Sequence, residues 1–141
     1  MVAFVTFYFQ RRQLHLAEHR FRLDLFEKRY AKLLDAKKLI EIVSEFHEFG
    51  DIRNNLIREL YVSLDEGRFL LSHQTNNFLK KICDAAETYL MSLGERQSLN
   101  HDDIYTWTQS AETLARKLSV LRVLYAQIPE QFEGDLHIEA S

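Results

Sequence analysis

Proline, glycine and cysteine are scarce in this chain, whose 141 residues include one proline, four glycines and one cysteine. Chains rich in sheets and tight turns need more proline and glycine, so their scarcity favours long helices. The single cysteine, Cys83, excludes an internal disulfide framework and a cysteine-based zinc site. Its apolar helical context, ICDAAETYL, predicts a buried thiol without a reactive role.

Motifs for phosphate binding and for nucleophilic catalysis are also missing from the sequence. It has no glycine-rich phosphate loop and no nucleophile elbow, so we expect no cofactor and a non-enzymatic role. The stretch HLAEH matches the H-x-x-E-H zinc pattern, with His15 and His19 on one helical face and Glu18 in the position of the base. Zinc catalysis also needs a third protein ligand and an enclosing cleft. Because the sequence indicates neither of these, we expect His15 and His19 to be surface residues and expect no metal site.

Apolar residues recur at helical spacing in four segments. The first runs from near the N-terminus to about Phe49, and a stripe beside its main apolar face contains Leu14, Phe21 and Leu25. Glycine marks the ends of the first three segments, at Gly50, Gly67 and Gly94. Pro129 marks the end of the fourth segment or a kink in it. Capping residues mark two later starts, Asp51 and Asn100, and the third segment starts near 72–74. The four helical segments predict an all-α fold. Because the connectors are short, we expect a four-helix, mainly antiparallel bundle.

Three local features add detail to this bundle. Leu99 and Ile104 flank the Asn100 cap with the spacing of a hydrophobic staple. Three apolar residues of the connector GRFLLSH are predicted to be buried anchors: Phe69, Leu70 and Leu71. Three apolar residues near the C-terminus are predicted to fold back on the bundle: Phe132, Leu136 and Ile138.

The first helical segment is too long for the other three to cover. A helix from about residue 5 to residue 49 is about 65 Å long, and the second and third segments are each about half that length or less. The N-terminal half of the first helix must therefore project. We divide the chain into three parts: an apolar membrane segment (1–13), the helical bundle (14–128) and an acidic tail (129–141). The membrane segment is truncated or interfacial and continues into the first helix.

Charge is distributed unevenly along the chain. Residues 1–38 contain nine Lys or Arg and four Asp or Glu, a net charge of +5, and the other 103 residues contain nine and seventeen, a net charge of −8. A basic front and an acidic rear indicate an anionic partner near the front. Nucleic acid is disfavoured as this partner, because proteins that bind it are usually more basic overall. Anionic lipid headgroups are compatible with a chain that is basic only at its front.

The opening stretch MVAFVTFYF has no charge and is apolar on every side of a helix. Nine helical residues cover about 14 Å of a hydrocarbon core about 30 Å thick, so this stretch alone cannot span a bilayer. Aromatic residues followed by cations have the order found at a membrane interface. Six residues are therefore predicted to contact lipid or a partner chain: Phe4, Phe7, Tyr8, Phe9, Arg11 and Arg12.

Arg68 and His73, in the stretch RFLLSH, match the pattern R-x4-H. This is similar to the motif of HEPN domains, which are all-helical bundles in which the Arg and the His meet at a dimer cleft and act on RNA. The resemblance covers six residues and the fold class, and Phe69 stands where HEPN motifs usually have a polar residue. It implies an RNA-acting protein with Arg68 and His73 as catalytic residues.

A wider stretch, RLDLFEKRYAKLLDAKKLI at 22–40, resembles the R-L-x-L-F-[DE]-[KR]-R signature of a group of short, uncharacterised bacterial proteins with an N-terminal membrane helix. GRFLL and IPEQFEGDL are similar to later positions in that group, so the resemblance spans about 8–138 in pattern. It implies a location at the bacterial inner membrane with the bundle facing the cytoplasm, and it implies no biochemical activity.

The sequence leaves three functions open. The leading expectation is a non-enzymatic, membrane-associated helical module for protein interaction or self-assembly. The alternatives are a HEPN-like RNA-acting protein and a soluble homo-oligomer whose first helices pair as a coiled coil. The alternative to the inner membrane as location is the cytoplasm.

Overall fold

The computed structural model describes residues 2–45 and 53–137. Within these ranges the chain forms four α-helices and no strand: α1 (Val2–Ser44), α2 (Arg53–Glu66), α3 (His73–Gln97) and α4 (Ile104–Phe132), with a short 3₁₀ turn, Gly67–Phe69, after α2. The helices pack against one another, which confirms the predicted all-α bundle with an over-long first helix. The predicted caps at Gly50 and Asp51 lie outside the described residues.

Both α2 and α4 run antiparallel to α1. The Lys32 ammonium donates to the backbone carbonyl of Ser63 at 2.7 Å and lies 3.9 Å from the Glu66 carboxylate, so α2 ends beside the later part of α1. The Tyr125 hydroxyl donates to the Glu41 carboxylate at 2.7 Å, and the Arg29 guanidinium donates to the backbone carbonyl of Asp135 at 2.9 Å. Later positions near the end of α4 therefore meet earlier positions of α1. The other helices therefore pack against the second half of α1, where its buried residues lie.

The hydrophobic core fills this overlap. The buried side chains of α1 are Leu33, Ala36, Leu39, Ile40 and Val43. Those of α4 are Leu114, Leu121, Ile128 and Phe132, whose steps of seven, seven and four residues form one helical stripe. α2 adds three buried aliphatic side chains, and α3 adds apolar residues along most of its length.

On the side away from the start of α1, α3 and α4 continue as a pair. The Lys117 ammonium donates to the Ser92 hydroxyl between these helices. The Arg96 guanidinium lies 4.0 Å from the centroid of the Trp107 ring, and the His101 ring lies 4.3 Å from it. Trp107 thus contacts both the end of α3 and the turn before α4.

The N-terminal half of α1 projects from the bundle, as the difference in helix lengths predicted. Every residue of 2–24 is exposed, and the first buried residue of α1 is Leu33. We call residues 2–24 the exposed arm. It is part of one uninterrupted helix of 43 residues, about 65 Å long.

The predicted helix end at Gly94 is wrong, and Pro129, predicted as an end or a kink, does not end its helix. α3 continues through Gly94 to Gln97, and α4 continues through Pro129 to Phe132. The apolar residues beside these two positions are buried: Leu93, Ile128 and Phe132. Packing of these neighbours into the core outweighs the local cost of a glycine or a proline in a helix.

The start of α4 also differs from the prediction. Asp103 is the N-cap, and its carboxylate accepts from the Thr106 amide at 3.2 Å. The Asn100 side chain accepts from the Asp102 amide at 3.1 Å, in the turn before the helix. Hydrogen bonds from Thr106 hold the pKa of Asp103 below its ordinary value. Ile104 is exposed, so the predicted staple with it does not form.

The connector after α2 buries only part of its apolar stretch. Leu71 is buried and Leu70 is half-buried, but Phe69 is 81% exposed, so the prediction for Phe69 is wrong. Consecutive side chains of a 3₁₀ turn point in different directions, so three in a row cannot all face the core. Near the C-terminus, Phe132 is fully buried and Leu136 packs against the core, as predicted, while Ile138 lies outside the described residues.

Candidate functional site

Aromatic side chains crowd the far end of the exposed arm. Phe4, Phe7, Tyr8 and Phe9 are 79, 62, 59 and 55% exposed. At roughly 100° per residue, Phe4, Phe7 and Tyr8 lie within an arc of about 100°, and Phe9 lies on another side of the helix. The Thr6 hydroxyl donates to the backbone carbonyl four residues earlier at 2.9 Å, so it does not create a polar face. A helix on a protein surface normally keeps one polar side towards water, so this end of the arm suits an apolar environment.

Cations follow the aromatic end within one turn. Arg11 and Arg12 are exposed and adjacent, so the six residues predicted to contact lipid or a partner lie together on three turns. The whole arm contains four arginines and two acidic residues, a net charge of +2. The arm therefore combines an apolar tip with a cationic shaft.

Arg29 anchors the base of the exposed arm to the bundle. Its guanidinium donates from Nε to the backbone carbonyl of Leu70 at 2.6 Å and from Nη1 to the backbone carbonyl of Asp135 at 2.9 Å. One side chain thus joins α1 to the connector after α2 and to the turn after α4. These two hydrogen bonds tie the base of the arm to the bundle.

The buried carboxylate of Asp135 holds the turn after α4 against the start of α3. It accepts from the Ser72 amide at 3.0 Å, from the Ser72 hydroxyl at 2.9 Å and from the Thr75 hydroxyl. Ser72 is also the N-cap of α3. The three stretches that carried the resemblance to bacterial membrane proteins, 22–40, 67–71 and 128–136, therefore meet at the base of the arm.

Arg68 and His73 line one open cleft between α2 and α3, with a volume of about 690 Å³. The Arg68 guanidinium lies 4.7 Å from the centroid of the Phe69 ring. The Asn76 side chain donates to the Arg68 carbonyl at 3.2 Å and so ties the connector to α3. Lys80 lines the same cleft. The cleft lining therefore contains two cations and an imidazole, together with the carboxylate of Asp65.

Cys83 and Tyr61 lie at the same cleft. Burial, with a smaller contribution from the charge of Asp84, raises the pKa of the Cys83 thiol to about 11. Burial likewise raises the pKa of the Tyr61 hydroxyl. A thiol that stays protonated at neutral pH is a poor nucleophile, so Cys83, which is half-buried, adds no nucleophile to the cleft.

The residues of the H-x-x-E-H pattern are exposed on the arm. His15, Glu18 and His19 lie along its surface, two turns or more before the bundle begins. Among the residues that the structure describes, no group of three His, Cys, Asp or Glu side chains is placed to hold a metal ion.

No helix in the described parts of the chain has both the length and the hydropathy needed to cross a bilayer. No family model, curated protein or solved structure matches this chain. Its function must therefore be inferred from its own surface.

The anchor at the base of the arm was missed by the sequence analysis. Arg29 and Asp135 are 106 positions apart, and no local pattern links an arginine on a charged helix to an acid in an acidic tail. The acceptor is the backbone carbonyl of Asp135, which every residue type has, so no side-chain pattern at position 135 encodes the contact.

Proposed function

We propose that this protein is a non-enzymatic helical module that attaches to an anionic lipid surface through the tip of the exposed arm. The observation that carries the proposal is the exposure of four aromatic side chains around the helix, directly before Arg11 and Arg12. Aromatic side chains favour the boundary between headgroups and acyl chains, and arginines pair with lipid phosphates. The bundle is then held away from the surface by the rest of the arm.

The arm lies in the interface and does not span the bilayer. Residues 2–9 are about 12 Å long as a helix, less than half of a hydrocarbon core about 30 Å thick. Binding then combines the apolar area buried with about 1 kcal/mol for each cation near anionic headgroups. Because cations are enriched on the cytoplasmic side of membranes, we place the bundle at the cytoplasmic face of a bacterial inner membrane.

Neutralising the two arginines beside the tip is expected to weaken lipid binding. Arg11→Gln with Arg12→Gln removes about 2 kcal/mol of attraction, which corresponds to a roughly 30-fold lower partition coefficient on phosphatidylglycerol vesicles. The matched control is Arg116→Gln with Arg122→Gln, two exposed arginines on α4, which should bind as the intact protein does. Vesicle flotation at low and high salt measures both pairs.

The salt dependence separates this proposal from apolar adsorption alone. We expect the intact protein to float with anionic vesicles and to float less as salt rises, since salt screens exposed charges. An intact protein that stays at the bottom of the gradient at low salt contradicts the proposal.

RNA cleavage is a second candidate, because Arg68, His73 and Lys80 line the same cleft. Incubating the purified protein with single-stranded RNA tests it. Under the leading proposal the RNA stays intact. Cleavage that is lost in both Arg68→Ala and His73→Ala, and kept in Arg116→Ala, would establish the second candidate.

A further inference from the structure

Three of the four arginines in the exposed arm and both of its histidines lie on one side of the helix. At roughly 100° per residue, this set falls within an arc of about 100°: Arg11, Arg12, His15, His19 and Arg22. Neither acidic residue of the arm lies inside this arc. We call these five residues the basic face.

The two imidazoles of the basic face lie next to its arginines. His15 follows Arg11 and Arg12 by four and three positions. His19 precedes Arg22 by three positions, so each imidazole neighbours a guanidinium on the surface of the helix. Both histidines are exposed, and the open surface around His15 is lined by α1 alone in the described structure. The imidazoles are therefore accessible to a charged partner.

Acidic groups lie outside the basic face. Glu18 borders it, three positions from His15, and Asp24 lies on the opposite side of the helix. From outside α1, Asp135 and His137 share a groove with an arginine of the face at the base of the arm. A negative surface that approaches the middle of the basic face therefore meets cations and imidazoles, with one carboxylate at the border.

The two histidines differ in their distance from the tip of the arm. Along the helix axis, His15 lies about 5 Å beyond Arg12 and His19 about 10 Å beyond it. Electrostatic attraction between exposed charges extends over about 10 Å at 0.1 M salt. When the arginines beside the tip meet anionic headgroups, His15 is therefore within reach of the same charges and His19 is at the limit of that reach.

We propose that His15 and His19 extend the lipid contact, so that the protein binds anionic lipid more tightly as the pH falls. This inference rests on the proposed attachment through the tip. A histidine side chain gains its charge between about pH 8 and about pH 5, and an opposite charge nearby favours the protonated ring. Binding therefore takes up protons, and the added attraction is present at low pH and is lost as the pH rises through this range.

Flotation with phosphatidylglycerol vesicles at several pH values tests the proposal. Between about pH 8 and about pH 5.5, at constant salt, the partition coefficient of the intact protein should rise at least about fivefold. A fivefold rise corresponds to the roughly 1 kcal/mol that one cation near anionic headgroups contributes. Phosphatidylglycerol keeps its charge over this range, and most exposed carboxylates stay ionised because their ordinary pKa is about 4. Vesicles of phosphatidylcholine, which has no net charge, should show no such rise.

Substitutions of the two histidines assign the effect to them. The double variant His15→Gln/His19→Gln should bind as the intact protein does at about pH 8 and should not bind more tightly at lower pH. The double variant His15→Arg/His19→Arg should bind at high pH at least as tightly as the intact protein binds at low pH. Of the single variants, His15→Gln should lose more of the rise than His19→Gln. The matched control is His101→Gln, at an exposed histidine in the turn before α4, and it should keep the full rise.

The same experiment separates this inference from the proposed function. An intact protein that floats equally well at all pH values overturns the inference and leaves attachment through the tip in place. A rise that persists in the double glutamine variant, or that phosphatidylcholine vesicles reproduce, overturns the inference too. An intact protein that stays at the bottom of the gradient at low salt and at every pH contradicts the proposed function itself.

Discussion

Replacing Phe132 by alanine is expected to lower the free energy of unfolding by about 4 kcal/mol. Phe132 is the last residue of α4 and is fully buried in the core. Its removal leaves a cavity the size of a benzyl group, which a packed interior fills only in part. Its backbone carbonyl also accepts from the Leu136 amide at 3.0 Å, so the turn that holds Asp135 starts from this residue.

Phe69→Ala is the matched control for this substitution. Phe69 is the same residue type in a described turn, but it is 81% exposed, so its truncation should change the free energy of unfolding by less than about 0.5 kcal/mol. Urea unfolding followed by far-ultraviolet circular dichroism measures both variants. Equal stability of the two variants contradicts the packing of α4 described above.

The helical architecture was predictable because its signals are periodic. Leu33, Ile40 and the later apolar residues of α1 repeat at helical spacing and are buried, and the segment lengths alone required that the start of α1 project. These inferences use many residues at once, so a single exception does not change them.

The element ends were less predictable because they depend on single residues. Gly94 and Pro129 are local breaking signals, but each lies inside a helix whose neighbouring side chains are buried. Asn100 and Asp103 both have side chains that can cap a helix, and the sequence does not say which of them the chain uses. Tertiary packing decides these positions.

The candidate site likewise has one feature that the sequence predicted and one that it did not. Exposure of the aromatic tip follows from the length mismatch, whereas the contact of Arg29 with Leu70 and Asp135 joins three distant parts of the chain. The seven-residue spacing of Leu14 and Phe21 is visible in the sequence. Their lack of cover follows from the same length mismatch, because both residues lie in the N-terminal half of the first helix.

Removing residues 1–10 is expected to reduce binding to anionic vesicles more than about a hundredfold. The deletion takes away four exposed aromatic side chains, and burying a phenylalanine is worth about 2 kcal/mol. Even partial burial of four such rings exceeds the roughly 2.7 kcal/mol that corresponds to a hundredfold change. The deletion removes no buried side chain among the described residues, so the unfolding midpoint of the bundle should stay the same at low protein concentration.

A triple substitution keeps the length of the arm and measures how much its apolar side chains contribute to vesicle binding. Phe4→Ser, Phe7→Ser and Phe9→Ser together should lose vesicle binding almost as completely as the deletion does. Phe69→Ser, at an equally exposed phenylalanine on the bundle, should bind as the intact protein does. Loss of binding in the Phe69 variant would place the lipid contact on the bundle.

Flotation of the intact protein and the 1–10 deletion side by side with phosphatidylglycerol vesicles tests the central claim most directly. The account predicts that the intact protein rises with the vesicles, while the folded deletion variant remains at the bottom of the gradient. A deletion variant that still floats, or an intact protein that does not, contradicts attachment through the exposed arm.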